Sequence, residues 1–488
     1  MEYTILIVAG VIILICVLST KVLYRFGVPS LLIFMGLGML MGSDGIGGIE
    51  FDNFEMAERI ATLALVIIIF FGGFGTRWDT AKPTAAKAIL MSSFGTVITA
   101  FVTGLFCHLI FGVPFLYGLL FGSVVASTDA ASVFSILRSR KLNLKHGLAP
   151  LLEVESGSND PVAYMMTILV ISVIGAQGES IGFLAMTGEF ALQIAIAIAI
   201  GVIMSLLSVV LLKRLNLEMD GLYPILLLAI AIVSYSLCAY LGGNGLLCVY
   251  IIGIVVGNTK MLHKVTIVHF FDGLSWLMQI MLFFLLGLLS FPSHLPSLII
   301  PGMLISLVII FIARPVATAA ILTWFKVPIK QQLLIAWVGL RGAASLVFAI
   351  VAVDAIGRDM PYDLFHLVFF VALFSILAQG TLMPLISKKL GLVDDDDEKN
   401  SVEKTFTDSF EEVHSALFEY TVVSGDRLSG KTVVDSDIPD DLLIVMIKRG
   451  SEIIRPKGST LMLENDILVV SGDDFSYFFE SSIMSKEL

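Results

Sequence analysis

Charge is what this sequence has least of. Only 15% of its 488 residues are Asp, Glu, Lys or Arg, against 57% hydrophobic residues and a mean hydropathy of +0.94. A chain this long and this apolar cannot be one soluble core. Cysteine is equally sparse: Cys16, Cys107, Cys238 and Cys248 each sit in an apolar stretch without paired or metal-type spacing. They read as packing residues, since a buried thiol behaves as a small hydrophobe. No HExxH, Walker or paired-cysteine signature occurs and no hydrolytic triad can be assembled, so an enzyme is not expected. A TVGYG-like run, the carbonyl filter of a potassium channel, is also missing. Neither a bound cofactor nor a nucleic-acid partner is expected.

What the chain does have is apolar runs near 20 residues, each able to span about 30 Å of hydrocarbon. About thirteen are expected, near 3–23, 28–42, 57–76, 88–111, 114–137, 149–175, 190–212, 221–240, 245–258, 266–290, 295–324, 331–353 and 362–387. The first is too long, and too continuous with the second, for a cleaved signal peptide. Basic residues fall in alternate loops: Lys21 and Arg25, Arg77 to Lys87, Arg138 to Lys145, Lys213 and Arg214, Lys260 and Lys264, Lys326 and Lys330, Lys388 and Lys389. The opposite loops carry only Arg358. By the positive-inside rule the N-terminus is expected outside and the C-terminus in the cytoplasm, in a multi-pass protein of the cell (inner) membrane.

The runs are related in pairs. Thr128-Asp129-Ala130-Ala131-Ser132 aligns with Arg341-Gly342-Ala343-Ala344-Ser345 at an offset of 213 residues. Within two residues, the same offset matches Leu31-Leu32, Gly38 and Gly42 to Leu246-Leu247, Gly253 and Gly257, and Gly72 to Gly287. Matching runs lie seven apart, an odd step, so matched helices run in opposite directions: an inverted-topology repeat. Duplicated halves of this kind, with polar interruptions in the fifth and twelfth runs, are the sequence sign of a secondary transporter. Gly38-x-x-x-Gly42 and Gly253-x-x-x-Gly257 predict close helix packing.

Intramembrane ionisable residues are costly, and they mark cavities, partners or ion paths. Here they are Asp129, Glu153, Glu155, Asp160, Arg314 and Arg341. In Glu155-Ser156-Gly157-Ser158-Asn159-Asp160-Pro161, Ser156 and Asp160 project from one helical face and Glu155 and Asn159 from the neighbouring row. Pro161 removes a backbone donor and Gly157 loosens the turn before it, which frees carbonyls as further oxygen ligands. A carboxylate in such a pocket holds a proton or a cation but not both, and that exclusion is exchange. Asp160 is the expected carrier; a fixed pairing with an arginine is the bland alternative. Asp129 is the second candidate, with a helix cap as its bland reading. Glu155–Arg341 is the expected structural ion pair, with Asp129 and Arg341 offsetting the dipoles of two crossing broken helices and Arg314 as a further buried cation. His108, His263, His269 and His366 fall at run ends and read as interfacial or cytoplasmic rather than as a proton relay.

After Lys389 the composition changes. Residues 390–488 hold 22 acidic and 9 basic side chains, so the tail carries a net −13 of the chain's −11. Asp394 to Glu398 reads as a solvated linker, and lacks the glycine and terminal glutamate of a calcium loop. A helical period over residues 401–416 predicts a connecting helix. From about 417 to 479 the pattern alternates at strand spacing, as in Leu443-Ile444-Val445-Met446-Ile447, predicting a small α/β or β-rich domain. The fold class expected is therefore an all-α polytopic membrane protein followed by a small α/β cytoplasmic domain. The boundaries expected are 1–390, a linker and helix over 391–416, and 417–488.

Glu155-Ser156-Gly157-Ser158-Asn159-Asp160-Pro161, Ser127-Thr128-Asp129 and Gly339-Leu340-Arg341-Gly342-Ala343-Ala344 resemble motifs of bacterial cation:proton antiporters of the NhaP type, especially its potassium/proton branch. The resemblance covers residues 1–390. It implies a homodimer, with a six-helix core that carries K⁺ or Na⁺ against H⁺ by an elevator-like movement. It also implies that the Thr128 backbone and the Asp129, Ser156 and Asp160 side chains hold the transported cation, with Asn159 supporting them, and that exchange is electroneutral. One departure is Phe71-Gly72-Gly73, where relatives often carry an acidic residue before the glycines. The tail is similar to the C-terminal half of the regulator-of-potassium-conductance domain, through Leu428 to Val433, Asp437-Ile438-Pro439, Ile447 to Gly450 and Ile454-Arg455-Pro456. That likeness implies a regulatory dimer with a cyclic dinucleotide or other nucleotide effector near Val433, Val434, Asp437, Ile438 and Pro456.

Overall fold

The computed structural model describes residues 2–23, 31–140, 142–176, 183–261, 263–357, 360, 362–393, 401–404, 416–423, 426–439, 441–450, 452–472 and 477. Arg25, Lys141, Arg358 and the acidic run 394–398 lie outside them. The chain forms two compact units, one drawn from residues 1–261 and 266–393 and the other chiefly from 394–488.

The first unit is helical. Its helices are α1 (Glu2–Leu23), α2 (Leu31–Met41), α3 (Phe54–Gly75), α4 (Ala85–Phe111), α5 (Phe115–Val124), α6 (Ala130–Ser139), α7 (Leu148–Gly175) and α8 (Phe183–Arg214). The series continues with α9 (Leu222–Tyr240), α10 (Gly245–Gly257), α11 (Lys264–Leu288), α12 (Pro292–Leu322), α13 (Ile329–Trp337), α14 (Ala343–Ile356) and α15 (Leu364–Lys389). Among the described residues eight of them are long and apolar enough to cross a membrane; α2, α5, α10 and α14 are shorter apolar helices. The two runs with polar interruptions are broken: residues 125–129 separate α5 from α6, and residues 338–342 separate α13 from α14.

The repeat is visible in the packing. An added Cβ on Gly38 of α2 would lie 2.1 Å from Phe284 O of α11, and one on Gly253 of α10 would lie 2.4 Å from Phe70 O of α3. These are equivalent contacts, each joining one half of the chain to the other. They require backbones closer than any side chain permits. The halves also share a defect. A π-turn interrupts α4 at Met91–Gly95 and α12 at Ile309–Ala313, and these helices pack together; a third interrupts α15 at Ser375–Gly380. Such turns insert a residue and shift the helical faces beyond them.

The second unit is strand-built: β1 (Ser401–Lys404), β2 (Ala416–Thr421), β3 (Leu443–Arg449), β4 (Glu452–Ile454) and β5 (Ile467–Gly472) form one antiparallel sheet in the order β1-β2-β5-β3-β4. Ile444 and Ile447 both face the core although three residues apart, because a bulge between Ile444 and Met446 absorbs the extra residue. The connecting helix expected over 401–416 is corrected at its start. Residues 401–404 are an edge strand paired residue for residue with Leu417–Tyr420, where backbone pairing outweighs the helical period; residues 405–415 lie outside the described residues.

Asp466 anchors this sheet. It is fully buried, and Arg449 donates to both its oxygens, Nε at 2.8 Å and Nη2 at 2.7 Å, while Leu463 N–H donates at 2.8 Å. Burial opposes its charge, but the guanidinium and the backbone donor outweigh that and hold the carboxyl below its ordinary range. The stability this pair lends is therefore present above the usual carboxylate pKa and is lost as pH falls through the depressed value. Arg449→Ala is expected to destabilise the sheet, because it leaves the buried Asp466 carboxylate without its cation. Hydrogen exchange of β3 and β5 amides in the full chain measures it.

Candidate ion-binding site

The two breaks lie against each other. Asp129 N–H donates to Leu340 O at 2.8 Å, and Arg341 Nη1 donates to Ala126 O at 2.7 Å and Ser127 O at 2.8 Å. Arg341 thus sits on carbonyls of the first break just beyond the end of α5, where a positive charge is favoured. Asp129 takes the opposite post, accepting from Ser132 N at 3.3 Å and Ser132 Oγ at 2.5 Å at the start of α6. That is an N-cap geometry.

α7 crosses beside this junction and runs on through Pro161. Its polar face meets residues 127–128. Ser156 Oγ donates to Thr128 O at 2.6 Å and accepts from Thr128 Oγ1 at 3.2 Å. Asn159 accepts from Thr128 N at 3.3 Å through Oδ1 and donates to Thr128 Oγ1 through Nδ2. Ser127 Oγ donates to Asp160 Oδ1. Thr128, Ser156 and Asn159 are buried, while Asp160 is partly open. The result is a cluster of carbonyl, hydroxyl, amide and carboxylate oxygens with no nitrogen or sulfur ligand, a donor set suited to a hard cation. Of the residues expected from sequence, Thr128, Ser156, Asn159 and Asp160 come together, and Asp129 stands one residue away at its cap.

The ion pair expected from sequence is corrected. Glu155 pairs with Arg314, not Arg341: Arg314 Nη2 lies 2.6 Å from Glu155 Oε1, with both side chains 1% exposed. Arg341 is unavailable because the break turns it toward α5, whereas Arg314 comes just after the π-turn in α12 and faces α7. Ser127, part of the Ser127-Thr128-Asp129 motif but given no role by it, is a further member. Ser375 carries no sequence signal of its own, yet it accepts from Arg341 N at 3.0 Å. Phe71 stacks on Phe271, ring centroids 6.4 Å apart, so an apolar contact fills the position before the paired glycines. His366 lies in the first turn of α15 and is buried, with Nδ1 2.7 Å from Asp363 Oδ2 and Nε2 accepting from Phe291 N at 2.8 Å. Both ring nitrogens are engaged, which leaves it no lone pair for a metal beside His294 and Asp363.

Residues 10–389 match the transmembrane sodium/hydrogen exchanger family, and residues 417–474 match the TrkA-C domain. The chain belongs to the sodium/hydrogen exchanger family. It is 35% identical over 473 residues to a protein named K(+)/H(+) antiporter NhaP2 from Shewanella baltica, covering 96% of this chain and 81% of that one. It is 39% identical over 387 residues to the K(+)/H(+) antiporter NhaP of Alkalimonas amylolytica, covering 79% and 67%. Its fold resembles that of the sodium proton antiporter MjNhaP1 from Methanocaldococcus jannaschii, with a TM-score of 0.69, 22% identity, and coverage of 80% of this chain and 99% of that one. This exchanger is thus a multi-pass membrane protein that moves a monovalent cation against protons and carries a regulatory domain.

In the second unit the candidate effector residues fall near one another. Val433 and Val434 flank and begin a 3-10 turn, Val434–Ser436, with Asp437 and Ile438 next in the chain; Val434 N donates to Gly458 O at 3.0 Å, tying in the loop that carries Pro456.

Gly342 closes the junction of the breaks. A Cβ there would lie 2.2 Å from Asp129 Oδ2 and 2.5 Å from Asp129 Cβ, too close for rotation of the carboxylate alone to relieve. Gly342→Ala is expected to displace Asp129 from its cap, costing about 2 kcal/mol from overpacking and the lost cap together. A lowered melting temperature of the purified exchanger checks this.

Proposed function

We propose that this exchanger moves potassium against protons, one for one, with Asp160 binding each in turn and Thr128, Ser156 and Asn159 completing the cation shell. The observation that carries the reading is the docking of α7 on the first helix break, where Asp160 accepts from Ser127 Oγ and Ser156 Oγ donates to Thr128 O, on the helix that also holds the buried Glu155–Arg314 pair. A group that must release a proton before it can hold a cation couples the two flows without further parts. Potassium is favoured by the names of the relatives that share 35–39% of the sequence and by the attached TrkA-C domain. Asp129 supports the site as a cap and as a nearby charge.

The proposal extends to a homodimer, to an N-terminus outside and a C-terminus in the cytoplasm, and to the second unit as a regulatory domain. Val433, Val434, Asp437, Ile438 and Pro456 are proposed to receive a nucleotide effector, a cyclic dinucleotide being the leading class. Deleting the chain after Leu390 is then expected to change regulation and leave exchange.

Everted vesicles acidified inside provide the test. Addition of potassium should dissipate the pH gradient, at a rate that an imposed membrane potential does not alter. Sodium acting alone would reassign the cargo. A potassium current without proton movement would replace the exchanger reading with a channel.

A further inference from the structure

The breaks are related by the repeat, and the relation extends to what holds them. The offset of 213 residues that aligns the halves carries Thr128 onto Arg341. In the first break, Thr128 N–H donates to Asn159 Oδ1 of α7 at 3.3 Å; in the second, Arg341 N–H donates to Ser375 Oγ of α15 at 3.0 Å. Ser375 stands 216 residues after Asn159, one more than the 213 to 215 that relate the halves elsewhere, on the helix equivalent to α7. It therefore occupies the place in the second half that Asn159 occupies in the first.

Ser375 does not act alone. Its hydroxyl donates to Gln379 Oε1 at 2.5 Å, Gln379 Nε2 donates to Trp337 O at 2.9 Å, and Trp337 Nε1 donates to Gln379 O at 3.2 Å. Both ends of the break, Trp337 where α13 stops and Arg341 just before α14, are thus held by one π-turn, Ser375–Gly380. Ser375 and Gln379 are fully buried, and their polar atoms satisfy the backbone and each other. From this anchor Arg341 reaches Ala126 O and Ser127 O, the carbonyls immediately before Thr128.

We infer that Ser375, backed by Gln379, is a positioning residue for the cation site, fixing Arg341 so that the carbonyls of Ala126 and Ser127 hold Thr128 and Ser127 in register with Asp160. The transport part of this rests on the exchange reading above; the structural coupling between the breaks does not. Neither residue touches the cargo.

The test compares S375A with S375T in the full-length protein. S375A should raise the KM for the cation about three- to tenfold, the worth of one hydrogen bond, with a smaller effect on the maximal rate. S375T, which keeps the hydroxyl, should restore most of it. Hydrogen exchange in S375A should quicken at the amides of Arg341 and Asp129, the latter bonded to Leu340 O across the junction, and not in α3 or α10. Unchanged exchange at both amides overturns the coupling even if the chain proves not to transport cations. Faster exchange there with an unaltered KM overturns the positioning role while leaving the proposed function standing. A lowered melting temperature with neither effect reduces Ser375 to packing and also overturns it. Should S375A fail to fold, Q379L, which leaves the serine in place without its acceptor, is read by the same two measurements.

Discussion

Asp160→Asn is expected to abolish exchange, by more than about 100-fold, equivalent to nearly 3 kcal/mol, in a protein that folds and melts as the native one does. Asparagine matches aspartate in size, and its amide oxygen can still accept from Ser127 Oγ, so the packing of α7 against the breaks is kept. What it cannot do is lose a proton or balance a cation. The neighbouring oxygens of Thr128 and Ser156 are neutral, and a desolvated monovalent ion bound by neutral dipoles alone lacks the charge compensation that the membrane interior demands. Proton flux driven by potassium in everted vesicles gives the measurement, with the melting temperature as the control. Exchange at the native rate would remove Asp160 from the mechanism and return the carrier role to Asp129, the other carboxylate at the junction.

Glu155→Leu is expected to be the most destabilising single change in the membrane unit, by about 3–5 kcal/mol, because it leaves Arg314 buried and uncompensated. A second substitution, Arg314→Met, should recover most of the loss, since an apolar pair removes both desolvation penalties. Arg341→Met in the same background should recover much less, because Arg341 makes its hydrogen bonds to the carbonyls of Ala126 and Ser127 and none to Glu155. Thermal unfolding of the purified variants measures the coupling. Rescue by Arg341→Met with none from Arg314→Met would mean that the pairing is the one expected from sequence.

That contrast marks the limit of what the residues disclose. The spans and their breaks are legible because a lipid-facing helix leaves a long apolar run and a polar interruption in it is conspicuous. The repeat is legible because both halves retain the same small and polar residues at one offset. Asp160 and Ser156 share a face by the arithmetic of 3.6 residues per turn, and the structure sets them on the same side. Two guanidiniums buried in one core, however, look identical along the chain; which of them reaches Glu155 depends on the π-turn before Arg314, and that turn has no sequence signature. Ser375 escapes notice for a related reason: a serine in an apolar helix ordinarily bonds its own backbone, and only the 213-residue offset carried across from Thr128 singles it out. The strand at residues 401–404 is invisible locally because its cause is a partner, β2, that a helical period does not register.

Arg341 is a cation that can never be unloaded. Seated on the carbonyls of Ala126 and Ser127, it is a permanent tenant of one side of the crossing, tethered by its own backbone. Only the side facing α7 has a berth to let. Occupancy by the transported ion should accordingly be hyperbolic in its concentration, with no sigmoid foot, because the second seat is filled from the moment the chain folds.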